Sequence, residues 1–218
     1  MNKEKVVIIG LDCAAPWLVF DLFKADLPNL SRLMQEGIYG DLKSTHPPIT
    51  VPAWMAMMTG KDTGELGIYG FRNRKSYSYE DLWIANSNAI KFPTIWETLS
   101  GTGYSNVILG VPQTYPPKPL NGVLVCSFLT PSKESTYTYP PEIANELDEI
   151  ADGNYIIDVE NFRTEEKDRI LETITVMTKR RFKVFREFLQ KKPWDFAMMV
   201  DPVGPHLHHH GKNRGILP

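Results

Sequence analysis

The chain has 218 residues, of which 42% are hydrophobic and 23% charged, and its formal net charge is -2. These values are typical of a globular protein with one sizeable core. The charge is too close to neutral to favour binding to nucleic acid or to an anionic membrane. The longest apolar runs have the length of strands and are far shorter than the ~20 residues of a membrane span.

The two cysteines and the N-terminus favour a cytoplasmic protein. Cys13 and Cys126 are too few for a disulfide framework, which suits a reducing compartment. The first predicted strand begins within a few residues of Met1, so we expect no signal peptide. Only three glutamines in a chain rich in Lys and Glu favour a thermophilic source.

The first predicted elements are a strand and a helix. "KVVIIG" (5–10) is a continuous apolar run, which predicts a central parallel strand buried on both faces. The run leads directly to Asp12. "LPNLSRLMQEG" (27–37) has a proline near its start, leucines on one face and a glycine at its end, and this pattern predicts a helix.

A second helix is predicted from "PPITVPAWMAMMTG", with Thr50 at or just before its N-terminus. Pro52 suits the first turn, where its missing N–H costs no hydrogen bond. Two interpretations of Thr50 follow from this position. Its hydroxyl either caps the helix, or it is a nucleophile held beside backbone N–H groups that stabilise negative charge.

The remaining elements continue the alternation of strands and helices, which predicts an α/β fold with a mostly parallel sheet. Residues 130–165 break this alternation, and we interpret them as an excursion that shapes or covers a cleft. The clearest helix spans 164–192, where the spacing of Ile170, Ile174, Met177, Phe185 and Phe188 predicts one buried face. The other predicted elements are a helix over 92–104, a short helix near 141–150, and strands at 105–110, 122–128 and 194–200.

Three polar residues fall where such a sheet collects ligands. Asp12 and Asp201 each follow a predicted strand, and ligands of open α/β sheets bind at the carboxyl ends of the strands. Thr50 opens a helix, as phosphate-binding groups often do.

The ordered set of "GLD", "LPNLSRLMQEGIYG" and "PPITVPAWMAMMTGKDTGELGIYGF" resembles the alkaline phosphatase superfamily, in particular its type I phosphodiesterase/nucleotide pyrophosphatase branch. The resemblance covers about residues 5–200. It implies a three-layer α/β/α fold and a hydrolase with two metal ions, usually zinc and sometimes manganese. It also implies that Asp12 is a metal ligand and that Thr50 is both nucleophile and metal ligand.

The chemistry agrees with these roles, because a divalent cation favours the alkoxide of a hydroxyl and two cations can hold the attacking and leaving oxygens. The branch commonly has a phosphate-binding Asn about twenty residues after the nucleophile. Arg72 and Asn73 lie near that spacing, and they either bind phosphate or belong to an exposed loop. A formylglycine sulfatase is disfavoured, since neither cysteine lies at the required position.

The histidine-rich end departs from the pattern of the family, which has an Asp after this strand and a His four residues later. Aligned with this pattern in one way, the segment has His206 and His210 as the ligands of the second metal. A fallback alignment, which starts from the end of the strand, makes Asp201 a ligand instead. Alternatively, residues 201–218 are a disordered tail that binds metal nonspecifically, or an end that a frameshift or truncation has put out of register with the family. The family also has an Asp-His pair and a final His further on. This chain has no Asp-His dipeptide, so we expect it to represent only the N-terminal half of the fold.

Two functions of different classes follow. The first is a metal-dependent phosphodiesterase or nucleotide pyrophosphatase with a phosphodiester or nucleotide-like substrate, in which metal sites and activity are incomplete. The second is a non-catalytic remnant that serves as a binding or assembly module. A metal-dependent mutase of the same superfamily ranks third. A truncated sheet would expose an edge or an apolar face, so we also expect a possible homo-oligomer.

Overall fold

A computed structural model describes residues 4–161 and 164–202 of the chain. Most strands of its main sheet are short apolar runs. In chain order the strands are β1 (Val6–Leu11), β2 (Arg72–Arg74), β3 (Leu82–Ile84), β4 (Asn106–Leu109), β5 (Gly122–Val125), β6 (Thr138–Tyr139) and β7 (Phe196–Asp201). The α-helices are α1 (Pro28–Glu36), α2 (Thr50–Thr59), α3 (Thr63–Leu66), α4 (Ile95–Gly101), α5 (Ile143–Ile150) and α6 (Lys167–Lys191).

Within the described residues, five strands form the main sheet in the order β1-β7-β4-β5-β6, and all neighbours are parallel except β5 and β6. Phe196 of β7 is aligned with Val6 on one side and with Asn106 of β4 on the other. Strands β2 and β3 form a separate antiparallel pair. The predicted α/β fold with a mostly parallel sheet is confirmed.

The expectation that β1 is a central strand buried on both faces is wrong for the described part of the chain. There β1 pairs with β7 alone and lies at the edge of the sheet. Val6, Val7, Ile9 and Leu11 each keep between 42% and 53% of their surface exposed. The strands buried along their whole length are instead β4 and β7, because each has a neighbour on both sides.

The two faces of the sheet are covered by different helices. Gly10 and Val200 are aligned on β1 and β7, and the ring of Trp54 from α2 lies against Gly10. The next aligned pair is Leu11 and Asp201, whose side chains point to the opposite face because successive residues of a strand alternate. Asp201 there bonds to a side chain of α6. The sheet therefore lies between α2 and α6, as in a three-layer α/β/α fold.

Helix α6 confirms the prediction of one long helix in this region. It spans 25 residues and is unbroken. Its buried residues include Ile170, Ile174, Met177, Phe185 and Phe188, the five expected from the spacing. No helix in the described ranges has both the length and the apolar composition that crossing a membrane requires.

Residues 130–161 of the predicted excursion remain attached to the sheet. Strand β6 extends the sheet as an antiparallel edge next to β5. Helix α5 packs on α6 through its buried residues Ile143 and Leu147. The proposed role of this segment in covering a cleft remains a prediction.

Candidate active site

Asp12 and Thr50, 38 positions apart in the sequence, meet at the carboxyl edge of the sheet. The Thr50 hydroxyl donates a hydrogen bond of 3.1 Å to Oδ2 of Asp12. Thr50 is the first residue of α2, and the N-cap position belongs to Ile49. The capping interpretation is therefore not what the structure shows, because the hydroxyl bonds to Asp12 and α2 has no side-chain cap.

Trp54 is a second donor to the same carboxylate, and sequence reasoning did not identify it. Its indole Nε1–H donates to Oδ1 of Asp12 at 3.4 Å. Residues four apart on a helix lie on the same face, so Thr50 and Trp54 reach Asp12 together. The signal available in the sequence was this i,i+4 spacing of two hydrogen-bond donors, and it is too common to be informative alone.

Gly10 makes the approach of α2 to β1 possible. A Cβ atom built on Gly10 would lie 2.4 Å from Cη2 of Trp54, much closer than any real contact. It would also lie 3.1 Å from Cγ2 of Val200. The glycine two residues before Asp12 thus provides the space in which the indole ring lies.

The N-terminus of α2 adds positive potential beside Thr50. The first intrahelical hydrogen bond runs from Ala53 N–H to Ile49 C=O, and Pro52 has no N–H. The amides of Thr50 and Val51 therefore precede the first helical bond. Helix N-termini with such amides favour anions, including phosphate groups.

Asp201 lies in a different environment from Asp12. Its carboxylate accepts a hydrogen bond of 3.0 Å from Nη1 of Arg181, and the two side chains are 3% and 1% exposed. Nη2 of Arg181 donates to the Ile157 carbonyl at 2.9 Å. Asp201 is thus tied to α6, whereas Asp12 is tied to α2. The two carboxylates bond to side chains of different helices in the described structure. A metal-binding role for Asp201 therefore remains a prediction.

Arg72 and Asn73 lie on β2, in the loop region after α3. Asn73 is 6% exposed, its Oδ1 accepts from the Tyr69 N–H at 2.8 Å, and its Nδ2 donates to the Gly70 carbonyl at 2.9 Å. Asn73 therefore braces the loop with both ends of its amide. Gly70 lies near Ile49, since a Cβ built on it would be 3.8 Å from Ile49 Cδ1. The loop thus borders the start of α2, and the exposed Arg72 remains the candidate for phosphate contact.

Aromatic residues of the same loop have varied surroundings. Phe71 packs against Phe128 with ring centroids 5.8 Å apart, and the guanidinium of Arg74 lies 3.6 Å from the centre of the Tyr79 ring. Tyr77 is fully exposed.

A cavity of about 550 Å³ adjoins Asp12 on the side of α6. Its walls are mainly apolar and include Leu18, Phe23, Ile174 and Phe182. Cys13 also lines it, and burial followed by the nearby charge of Asp12 raises the pKa of this thiol to about 11. Cys13 is therefore a neutral thiol at pH 7 and a poor nucleophile.

The donors needed for a metal site are only partly within the described residues. Asp12 and Thr50 place two oxygen atoms 3.1 Å apart, which fits one side of a divalent cation's coordination shell. Over residues 4–161 and 164–202, no three His, Cys, Asp or Glu side chains converge on one point. His206 and His210, the predicted ligands of the second metal, lie outside the described residues.

The family model for type I phosphodiesterase/nucleotide pyrophosphatase matches residues 6–215. No curated protein matches the chain. The expectation that the chain represents only the N-terminal half of the family is not borne out by a match of this extent. Because the match covers most of the chain, this protein belongs to the type I phosphodiesterase/nucleotide pyrophosphatase family.

Proposed function

We propose that this chain hydrolyses phosphodiester or nucleotide pyrophosphate bonds with Thr50 as the nucleophile. The observation that carries the proposal is the hydrogen bond of 3.1 Å from the Thr50 hydroxyl to Asp12. A threonine hydroxyl is a weak nucleophile unless a base or a cation activates it, and here a carboxylate is the partner of its proton. The family match supports the reaction class.

The roles of the residues follow from their positions. Oδ2 of Asp12 accepts the hydrogen bond from the Thr50 hydroxyl, and this turns the lone pairs of Oγ1 away from the carboxylate. As Oγ1 attacks phosphorus, the P–O bond to the leaving group breaks, the hydroxyl proton passes to Asp12, and the leaving oxygen takes a proton from water. The amides of Thr50 and Val51, at the N-terminus of α2, would stabilise the charge that develops on the phosphoryl oxygens. Water then hydrolyses the phosphothreonine ester and releases the second product.

Metal ions are part of the proposal because the donors at this edge fit them. Asp12 and Thr50 would hold one cation, and His206 with His210, or Asp201, would hold the second. Bound zinc or manganese supplies charge neutralisation and a lower hydroxyl pKa. The described residues give one site two ligands, whereas a catalytic zinc ordinarily has three protein ligands, and for this reason we expect slow turnover.

The test is the hydrolysis of bis-p-nitrophenyl phosphate with added Zn²⁺ or Mn²⁺. We expect Thr50→Ala to lower the rate by at least ~10⁴-fold and Thr50→Ser to retain part of it. Thr59→Ala is the matched control, since Thr59 ends the same helix and its hydroxyl bonds only to local backbone, including the Met55 carbonyl at 2.7 Å. We expect the control to keep the wild-type rate.

The alternative function is that of a non-catalytic binding or assembly module. It is favoured by the lack of a three-ligand cluster within the described ranges. An active wild type whose rate survives Thr50→Ala would contradict the proposed nucleophile. A wild type without turnover in either metal, but still able to bind phosphate, would support the binding module.

A further inference from the structure

One helix face supplies donors to both oxygens of Asp12. Thr50 bonds to Oδ2 at 3.1 Å and Trp54 bonds to Oδ1 at 3.4 Å. A carboxylate held by one donor can still turn about the bond to its Cβ, whereas two donors on separate oxygens fix its plane. We infer that Trp54 is a positioning residue, which holds Asp12 in the orientation that the Thr50 hydroxyl requires.

The packing of the indole ring supports this role. The ring lies over Gly10, so closely that Cη2 is 2.4 Å from where a Cβ would be. Val200 flanks the same position, and Trp54 is half-buried. The ring is therefore seated on β1 and β7, and its N–H has a fixed direction. A donor that is already fixed loses little conformational entropy when it bonds.

The inference rests on the proposed function only in its consequence for chemistry. The hydrogen bond between Trp54 and Asp12 exists whether or not the chain is an enzyme. Its consequence is that loss of the indole N–H should disturb what Asp12 binds, even where the apolar ring is kept. Trp54→Phe makes this change, because phenylalanine fills much of the same space without a donor.

A matched control is available in Trp194. Its Nε1–H donates to the Leu189 carbonyl at 2.9 Å, and it is also half-buried. Trp194 precedes β7 and so lies at the amino edge of the sheet, whereas Asp12 lies at the carboxyl edge. Trp194→Phe therefore removes an indole hydrogen bond away from the candidate site.

The first measurement tests the hydrogen bond with no reference to catalysis. In the ¹⁵N-tryptophan-labelled protein, Trp54→Phe and Trp194→Phe assign two of the indole cross-peaks. We expect Asp12→Ala to move the Trp54 indole proton upfield and to speed its exchange with water, while Trp194 is unchanged. Asp12→Asn, which keeps an acceptor oxygen, should produce a smaller shift and serves where Asp12→Ala does not fold. If the chemical shift and the exchange rate of the Trp54 indole proton are unchanged in both variants, the inference is overturned.

The second measurement tests the consequence for ligand binding and rate. We expect Trp54→Phe to weaken Mn²⁺ binding, measured by calorimetry, by about 10- to 100-fold, the usual effect of losing a residue that orients a ligand. Where turnover is measurable, kcat should fall and KM for bis-p-nitrophenyl phosphate should change little. Trp194→Phe should match the wild type in both respects.

The two measurements separate the inference from the proposed function. Equal Mn²⁺ affinity in Trp54→Phe and wild type would overturn the positioning role even if Thr50 proves essential. A wild type that neither binds Mn²⁺ nor turns over would contradict the proposed function, and the indole cross-peaks would then decide the inference alone.

Discussion

At the scale of single residues, the candidate site depends on what lies beside each functional group. Thr50 has the residue type of a helix cap, yet its hydroxyl bonds to Asp12 because α2 begins directly opposite the end of β1. Asp12 also accepts a hydrogen bond from the indole N–H of Trp54. The Trp54 ring in turn occupies the space that the missing side chain of Gly10 leaves open. The side chains of Asp12, Thr50 and Trp54 therefore depend on one another and on the absence of a side chain at Gly10, so a substitution of Gly10 should also displace Thr50.

We expect Gly10→Ala to destabilise the fold by roughly 1–3 kcal/mol, as overpacked core positions do. The added methyl group would displace the Trp54 ring, whose Cη2 lies 2.4 Å from the new atom. The free energy of unfolding in urea and the Trp54 indole cross-peak would report the two effects. Gly40→Ala is the control, since nothing lies within 4 Å of a Cβ there. Equal stability of the two variants would contradict the tight contact.

At the scale of elements, α6 and β7 are joined by a buried ion pair. Arg181 enters from the middle of α6 and meets Asp201 at the end of β7. Gly110 lies beside this pair with φ of 68°, and a Cβ there would be 2.9 Å from the Val200 carbonyl oxygen and 3.6 Å from Nε of Arg181. The pair fixes where the long helix crosses the carboxyl edge of the sheet.

Removing one partner of this pair should be costly. We expect Arg181→Leu to lower the free energy of unfolding by about 3–5 kcal/mol, because it leaves a buried carboxylate without its counterion. Arg186→Leu is the matched control on the same helix, since the side chain of Arg186 is exposed. Its effect should stay within about 0.5 kcal/mol. Urea denaturation of both variants measures the difference, and a small loss in Arg181→Leu would refute the structural role.

Features that depend on neighbouring residues in the sequence could be predicted, whereas contacts between distant elements mostly could not. The face of α6 and the strand character of β4 and β7 were predictable, because they depend on local periodicity and burial. The meeting of Asp12 and Thr50 was predictable from the ends of elements in an α/β sheet. The contact of Trp54 with Gly10 and the pairing of Asp201 with Arg181 were not, since each depends on the distance and angle between packed elements. Asn73 shows the same limit, because its burial within its own loop has no periodic pattern.

At the scale of the whole molecule, the described sheet is unequally covered. Its α2 face is packed at Gly10, whereas Val7, Ile9 and Leu11 share the other face of β1 and are each at least 42% exposed. An edge strand with apolar side chains is prone to associate with another chain. We therefore expect the homo-oligomer predicted from the sequence to use this face of β1.

We expect the purified protein to self-associate through this face of β1, and Ile9→Lys to shift it toward monomer. A lysine on this apolar face opposes its burial against a second copy, because the charge would lose its hydration. Light scattering coupled to size-exclusion chromatography, over a range of concentrations, gives the mass. Ile38→Lys is the control, because Ile38 is fully exposed outside the helices and strands. A wild type that stays monomeric at every concentration would refute the expectation.

The contact between Gly10 and Trp54 also constrains how this site can diverge. A larger residue at position 10 and an indole at position 54 cannot occupy the space together, so position 10 is not free to vary while Trp54 is present. Relatives that carry a smaller side chain in place of Trp54 gain room for a side chain in place of Gly10, and they lose the second donor to Asp12. Substitutions at the two positions should therefore be correlated among relatives, and the identity of one should indicate how the aspartate is held in each.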